Sequence, residues 1–307
     1  MPVTEPASSL GISINNLFII ELVIGTLIQL GVTAAVIYFG VRYRARRGGG
    51  SDPASSHGPR WIEITWIAVP LVIVIGLFGL SLNAAAASDP PTNGNPDIIV
   101  TGHQWWWEAV YPQTGAVTAN EIHIPTGKQV LIELHSADVI HDFWVPNLGR
   151  KMDAVPGQAN RIWIAADNPG VYLGACAEYC GAQHAWMRLR VVAQSQADFA
   201  TWQQQQAQPI TQSTQAAAQK GAQLFTGRTC ANCHAVGGSD KAPNVGPNLA
   251  HLGDRQTLGA GIIDNTPENL AKWLKDPQGI KPESLVPNLY LTDDEVQALV
   301  AYLEAKP

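Results

Sequence analysis

The sequence is poor in charge. Asp, Glu, Lys and Arg make up 14% of its 307 residues, against about 25% in an average soluble chain. It also lacks a basic excess: 19 Lys and Arg stand against 25 Asp and Glu, for a net charge of −6. Nothing here meets a phosphate backbone, so nucleic acid is excluded as a partner. Cysteine is scarce. Four in the whole chain, all between Cys176 and Cys233, cannot build a disulfide scaffold. Methionine is scarcer still, with only Met1, Met152 and Met187, and none follows Cys230. The length allows two or three domains at roughly 100–200 residues each, and no internal repeat is visible. A soluble single-domain enzyme is a poor description of this composition.

Long apolar runs replace the missing charge. Residues 17–41 carry one charge, Glu21, and residues 64–82 carry none. As helices rising ~1.5 Å per residue, both can cross a hydrocarbon core of about 30 Å. The loop between them holds Arg42, Arg44, Arg46, Arg47 and Arg60. Short Arg-rich loops stay in the cytoplasm, which puts everything after residue 82 outside. The chain is expected to be a multi-pass membrane protein, in contact with lipid. Its thiols then lie in an oxidising compartment, where each needs a covalent or metal partner.

The exterior changes character twice. Residues 84–96 read as a linker. Short β-like runs follow at residues 97–101, 129–134, 161–165 and 188–192, separated by Pro/Gly turns, and suggest a β-sandwich. Residues 203–219, with four consecutive Gln, read as a flexible or weakly helical connector. Helical patterns return at residues 219–226, 266–275 and 292–304, the last opening on a Thr292/Glu295 capping box. The expected fold is multidomain: a two-helix transmembrane hairpin (residues 1–88), a β-sandwich (89–202), a linker (203–219) and an all-α domain (220–307).

Cys176, Cys180, His184 and Met187 are spaced C-x-x-x-C-x-x-x-H-x-x-M. Two thiolates, an imidazole and a thioether suit copper. Two cysteines this close can bridge two copper ions, each then needing a terminal imidazole. His141 is the candidate for the second imidazole, and Met187 and the Glu178 carbonyl are candidates for weak axial ligands. A disulfide leaves the His and Met spacing unexplained, and zinc rarely takes Met. A copper-delivery protein would use the same thiolates without needing Met187.

These residues carry a resemblance. Together with Gly102-His103-Gln104-Trp105-Trp106-Trp107, His141-Asp142-Phe143-Trp144-Val145-Pro146 and Lys151-Met152-Asp153-Ala154-Val155-Pro156-Gly157, the segment resembles subunit II of haem–copper cytochrome c oxidases over residues 15–200. The resemblance implies a cupredoxin-like β-sandwich in a protein of a bacterial cell membrane, a dinuclear copper centre (CuA), and Trp105 as the aromatic that receives electrons. It implies Glu178 as a ligand to a magnesium ion shared with subunit I, and Glu63 as a carboxylate at the cytoplasmic entrance of a proton pathway. Glu63 also reads as an interfacial solvated charge. The implied partners are subunits I and III and an external electron donor.

Cys230-Ala231-Asn232-Cys233-His234 is C-x-x-C-H, the haem c attachment pattern, with His234 as proximal iron ligand. Asn244-Val245-Gly246-Pro247-Asn248-Leu249 resembles the loop of monohaem cytochromes c whose Pro packs against that His. The last helix is expected to cross the one at residues 219–226. The sixth-ligand Met of such domains is missing: Ser284-Leu285-Val286-Pro287-Asn288 places Val286 there. His251, Lys281, Lys275 and Tyr290 remain as candidate ligands, or the iron is five-coordinate. The resulting expectation is an electron-transfer subunit II of a proton-translocating oxidase, passing electrons from haem c to copper to the oxygen-reducing centre of subunit I. A copper-delivery protein and a haem-based gas sensor are the alternatives.

Overall fold

The computed structural model describes residues 4–44, 58–89, 94–210, 213–237 and 245–304. Arg46, Arg47 and Asn244 lie outside these. Two compact units form, one of residues 12–87 and one of the remainder.

The first unit is helical. Helix α1 runs Ser9–Arg42 and α2 runs Arg60–Ser88, both longer than the apolar runs at their centres. Leu27, Val36 and Val72 are each about two-thirds exposed. Helices that display large apolar side chains along their length are matched to hydrocarbon rather than water. Residues 84–88, expected as linker, complete α2, because four alanines in a row favour helix.

In the second unit ten strands make a sandwich. They are β1 (Ile98–His103), β2 (Trp106–Tyr111), β3 (Ala116–Ala119), β4 (Glu121–Pro125), β5 (Val130–Ser136), β6 (His141–Trp144), β7 (Met152–Ala154), β8 (Asn160–Ile164), β9 (Gly170–Cys176) and β10 (Arg188–Gln194). One sheet has the order β3-β2-β1-β5-β8 and the other β4-β10-β9-β6-β7. Alternate residues face inward, so Val100, Ile132, Phe143, Ile162 and Val191 are all fully buried between the sheets. The chain start joins this unit: Ala7 donates to the Asn147 carbonyl (2.8 Å) and accepts from the Asp167 N–H (2.9 Å).

Helix α3 (Gln196–Gln206) takes in the first four residues of the expected connector. Ser195 caps it through the Asp198 N–H. Trp202 stacks on His123 at 3.9 Å, and the buried Gln206 amide donates to the Val117 carbonyl (2.8 Å). Polar composition hid a helix that is held by its two aromatics, Phe199 and Trp202, against the sandwich.

The C-terminal part contains α4 (Ala216–Gly227), the two-stranded β11 (Thr257–Leu258) and β12 (Ile263–Asp264), α5 (Pro267–Lys275), the single turn α6 (Pro277–Ile280) and α7 (Asp293–Leu303). The capping box is present, with Thr292 and Glu295 bonding each other's backbone N–H. α4 and α7 cross at Gly221, where a Cβ would lie 2.1 Å from the Ala298 carbonyl oxygen. Only glycine permits that approach.

Candidate metal centre

β6 starts with His141 and β9 ends with Cys176, and the two strands are paired, so the sheet brings these residues together. The chain then turns through Cys180 into a short 3₁₀ turn, His184–Trp186, and reaches Met187 at the head of β10. Six donor groups meet. The two sulfurs are 3.7 Å apart and unbonded. His141 Nδ1 is 3.9 Å and the Glu178 carbonyl oxygen 3.2 Å from Cys176 Sγ. His184 Nδ1 is 3.6 Å and Met187 Sδ 3.7 Å from Cys180 Sγ.

These spacings fit metal. Ligands held at about 2.0–2.3 Å from one ion, at tetrahedral to trigonal angles, stand roughly 3.3–4.0 Å apart. Two sulfurs, two imidazoles, one thioether and one carbonyl are enough for two ions that share the sulfurs, each with one imidazole and one weaker donor.

The surroundings prepare the ligands. Asp138 Oδ1 bonds His141 Nε2 at 2.7 Å, so Nε2 carries the proton and Nδ1 faces the sulfurs with its lone pair. Burial works to raise the Asp138 pKa, but bonds from His141, Val139 and Gln104 outweigh it and hold the carboxyl below its usual range. Burial likewise opposes charge on His141, and its bonds to Cys176 and Asp138 win, raising its pKa. The Cys180 S–H is the main influence holding the Cys176 thiol well below its ordinary pKa; the Cys180 thiol is pushed up in return. Asp138 carries no motif signal, and its role emerges only from the fold.

Trp105 is half-buried, and its indole N–H donates to the Cys180 carbonyl at 2.9 Å. Gln104 donates to the same oxygen at 2.8 Å. Trp107, by contrast, is fully buried, edge-on to His141 and Phe143. Glu178 is exposed, and its carboxylate accepts only from the Tyr179 N–H among the described residues. Glu63 lies exposed in the first turn of α2.

The second set of motif residues lines a largely apolar cavity of about 250 Å³. Cys230 and Cys233 are free thiols on its wall. His234 Nδ1 donates to the Pro247 carbonyl at 2.8 Å, which leaves Nε2 as the ligating nitrogen. Burial lowers the His234 pKa and keeps the ring neutral. A Cβ on Gly246 would stand 2.4 Å from His234 Cε1, so this glycine is the cradle of that ring. The buried Arg255 Nε has no partner among the described residues, a donor suited to a carboxylate inside the cavity. These features fit a covalently held haem.

The candidate sixth ligands separate cleanly. Val286 lines the cavity and cannot ligate. His251 points elsewhere, bonding the Gln208 carbonyl at 2.9 Å. Lys275 is paired with Asp293, and Tyr290 is 87% exposed. Lys281 does line the cavity, but its ammonium donates to the carbonyls of Trp105 (3.3 Å), Trp186 (3.1 Å) and Gly259 (3.0 Å). Burial lowers its pKa to about 8.

Comparison with known proteins agrees with this geometry. The family model described as cytochrome C oxidase subunit II, periplasmic domain, matches residues 116–195, and that of cytochrome c matches residues 218–306. Cytochrome c oxidase subunit 2 of Alkalihalophilus pseudofirmus is 35% identical over 294 residues, covering 94% of this chain and 85% of that one. The chain belongs to the cytochrome c oxidase subunit 2 family. The subunit 2 protein of Bacillus subtilis is 34% identical, over 88% of this chain and 82% of that one. The solved periplasmic domain of subunit II of cytochrome oxidase of Bradyrhizobium japonicum is 32% identical, with a TM-score of 0.35, over 36% of this chain and 92% of that one. As a subunit 2 protein with its own cytochrome c domain, the chain transfers electrons within an oxidoreductase complex that includes subunit I. Membership implies a membrane anchor with periplasmic domains, copper in the sandwich and haem c in the helical domain.

Proposed function

We propose that His141, Cys176, Cys180, His184, Met187 and the Glu178 carbonyl hold a dinuclear CuA centre. Cys230 and Cys233 carry haem c, and His234 ligates its iron. The observation that carries this reading is the double donor set sharing two sulfurs 3.7 Å apart. When bound, the copper pair and the haem supply one-electron chemistry at nearly fixed geometry. The residues do the rest. Asp138 and Pro247 orient the two imidazoles through their second nitrogens. Trp105 both lines the haem cavity and bonds the Cys180 carbonyl, so it bridges the two sites. Arg255 offers its unpaired Nε–H to a haem carboxylate.

The direction of flow is from an external donor to haem c, to copper, and on to subunit I, in a bacterial cell membrane with subunit III beside it. The sandwich, with 11 acidic and 6 basic side chains over residues 89–198, favours a basic donor. The Glu178 carboxylate is exposed beside its own copper-facing carbonyl, placed to share a magnesium ion with subunit I, and Glu63 is the matching carboxylate for proton uptake on the cytoplasmic side.

Electron paramagnetic resonance of the oxidised chain tests the core of this reading. One unpaired electron shared over two coppers gives a seven-line hyperfine pattern, lost in Cys176→Ser and Cys180→Ser. One copper per chain with a four-line signal would sink it.

A second reading applies to the haem alone. With Val286 in the cavity wall and all three Lys281 protons engaged, the described residues would offer a haem iron no strong sixth ligand, and a small exogenous ligand could bind there, as in a gas sensor.

A further inference from the structure

The connector after the sandwich suggests a cytochrome on a tether, but the contacts between the two folded parts describe something else. Glu121, on β4, is 2% exposed. Its carboxylate accepts from the Gln256 N–H (2.9 Å), the Thr257 N–H (2.8 Å) and the Thr257 hydroxyl (2.9 Å). It thereby satisfies the start of β11, which lies 136 residues further along the chain. A carboxylate is buried at such a seam only when its oxygens are bonded, because an unpaired one is strongly disfavoured there. Arg190 adds a bond to Gln256 (3.0 Å), and Trp106, Ala119 and Ala260 close an apolar contact beside it.

Lys281 is the second fixed point. It is 4% exposed, and two of its three bonds cross to the sandwich. One ends on the carbonyl of Trp105, the residue that bridges the sites. The other ends on the carbonyl of Trp186, which precedes Met187. The third stays within its own domain, at Gly259. Gln183, in the copper loop, donates to the neighbouring Pro282 carbonyl. All three donors of this buried ammonium are used, two of them across the seam.

We infer that the C-terminal domain is a docked module rather than a tethered shuttle, with Glu121 as its anchor and Lys281 as the positioning residue that seats the haem cavity against Trp105. This deepens the copper and haem reading and rests on it for its kinetic consequence. Haem-to-copper transfer is then a fixed-distance step, and an external donor meets the outer face of the cytochrome domain rather than Trp105.

The test uses the full chain in its oxidase complex and has two arms. Hydrogen exchange at the Gln256 and Thr257 amides reads the docking itself, without reference to cofactors. Both amides are expected to be protected in the parent and to lose protection at least tenfold in Glu121→Gln. The second arm follows haem-to-copper electron transfer after photochemical reduction of the haem. Lys281→Met, which keeps the aliphatic stem, is expected to slow it at least tenfold while the copper and haem spectra stay parental, and Lys281→Arg is expected to recover part of the rate. Parental amides that exchange like free peptide overturn the inference, as does a Lys281→Met chain that transfers electrons at the parental rate. Protected amides in a chain lacking the shared-electron copper signal would instead leave docking intact and strike the copper reading.

Discussion

Removing the Asp138 carboxylate should loosen the copper centre without touching a ligand. Three bonds disappear in Asp138→Ala: those from His141 Nε2 (2.7 Å), the Gln104 N–H (2.7 Å) and the Val139 N–H (2.6 Å). The first matters most. Without it the imidazole is free to place its proton on Nδ1, the atom that must ligate, and to rotate in its strand. Outer partners of this kind are worth 10- to 100-fold in metal affinity, or roughly 1.4–2.7 kcal/mol. Asp138 is 31% exposed, so water replaces part of the lost bonding and the lower half of that range applies to the His141 term. The Gln104 bond adds to it, because Gln104 and Trp105 both lean on the Cys180 carbonyl. Asp138→Asn keeps an acceptor without the charge and should fall between parent and alanine. Copper retention against a graded chelator, read by the shared-electron signal, measures this directly. If Asp138→Ala holds copper as tightly as the parent, His141 is oriented by its strand alone and the argument fails.

The haem offers a complementary test: the unmodified ferrous domain should be high-spin and bind carbon monoxide, and Val286→Met should make it low-spin, raise its potential and exclude carbon monoxide. A ferrous parent that is already low-spin and refuses carbon monoxide would refute this. Gly246→Ala should impair haem attachment, since its Cβ would meet the His234 ring at 2.4 Å; normal haem content by absorbance would count against the cradle. His123 has its pKa lowered to about 4 by burial, with the Gln194 bond opposing. The unfolded chain binds its proton below pH 6.5 and the fold does not, so its contribution is whole above pH 6.5 and is lost as pH falls toward 4. About 2 kcal/mol is at stake after partial solvent screening. The stability gap between parent and His123→Gln, followed by thermal unfolding, should change across that window, and a pH-independent gap would be the contrary result. A cysteine placed at Ser55, outside the described residues, should react with an impermeant label only once the membrane is breached.

Much of this chain could be read from its residues, for identifiable reasons. The metal motifs are local in sequence, so Cys176 to Met187 and Cys230 to His234 declare their chemistry by spacing alone. The Thr292 cap is equally local. His141 required a partner 35 residues away, and its contact with Cys176 exists only because β6 pairs with β9. Asp138 was invisible because a single acid before a strand has no pattern. α3 was hidden by its glutamines, since its helix is set by Phe199 and Trp202 docking rather than by an amphipathic stripe. The seam at Glu121 and Lys281 joins residues up to 176 positions apart, and nothing in either neighbourhood announces the other.

The first residues of the chain also bear on how this protein is made. Ala7 fills backbone positions between Asn147 and Asp167, and the Ser8 hydroxyl closes on the Leu148 carbonyl at 2.9 Å. The sandwich therefore finishes its edge with peptide that is synthesised before either apolar helix. That peptide must wait on the far side of the membrane until some 160 later residues arrive to receive it. A fragment beginning after α2 would fold with the Asn147 and Leu148 carbonyls and the Asp167 N–H unmatched, each worth about 1 kcal/mol. Maturation of the copper domain is thus coupled to complete insertion of its anchor: a chain in which only one of the two helices crosses leaves this peptide and the sandwich on opposite sides of the membrane.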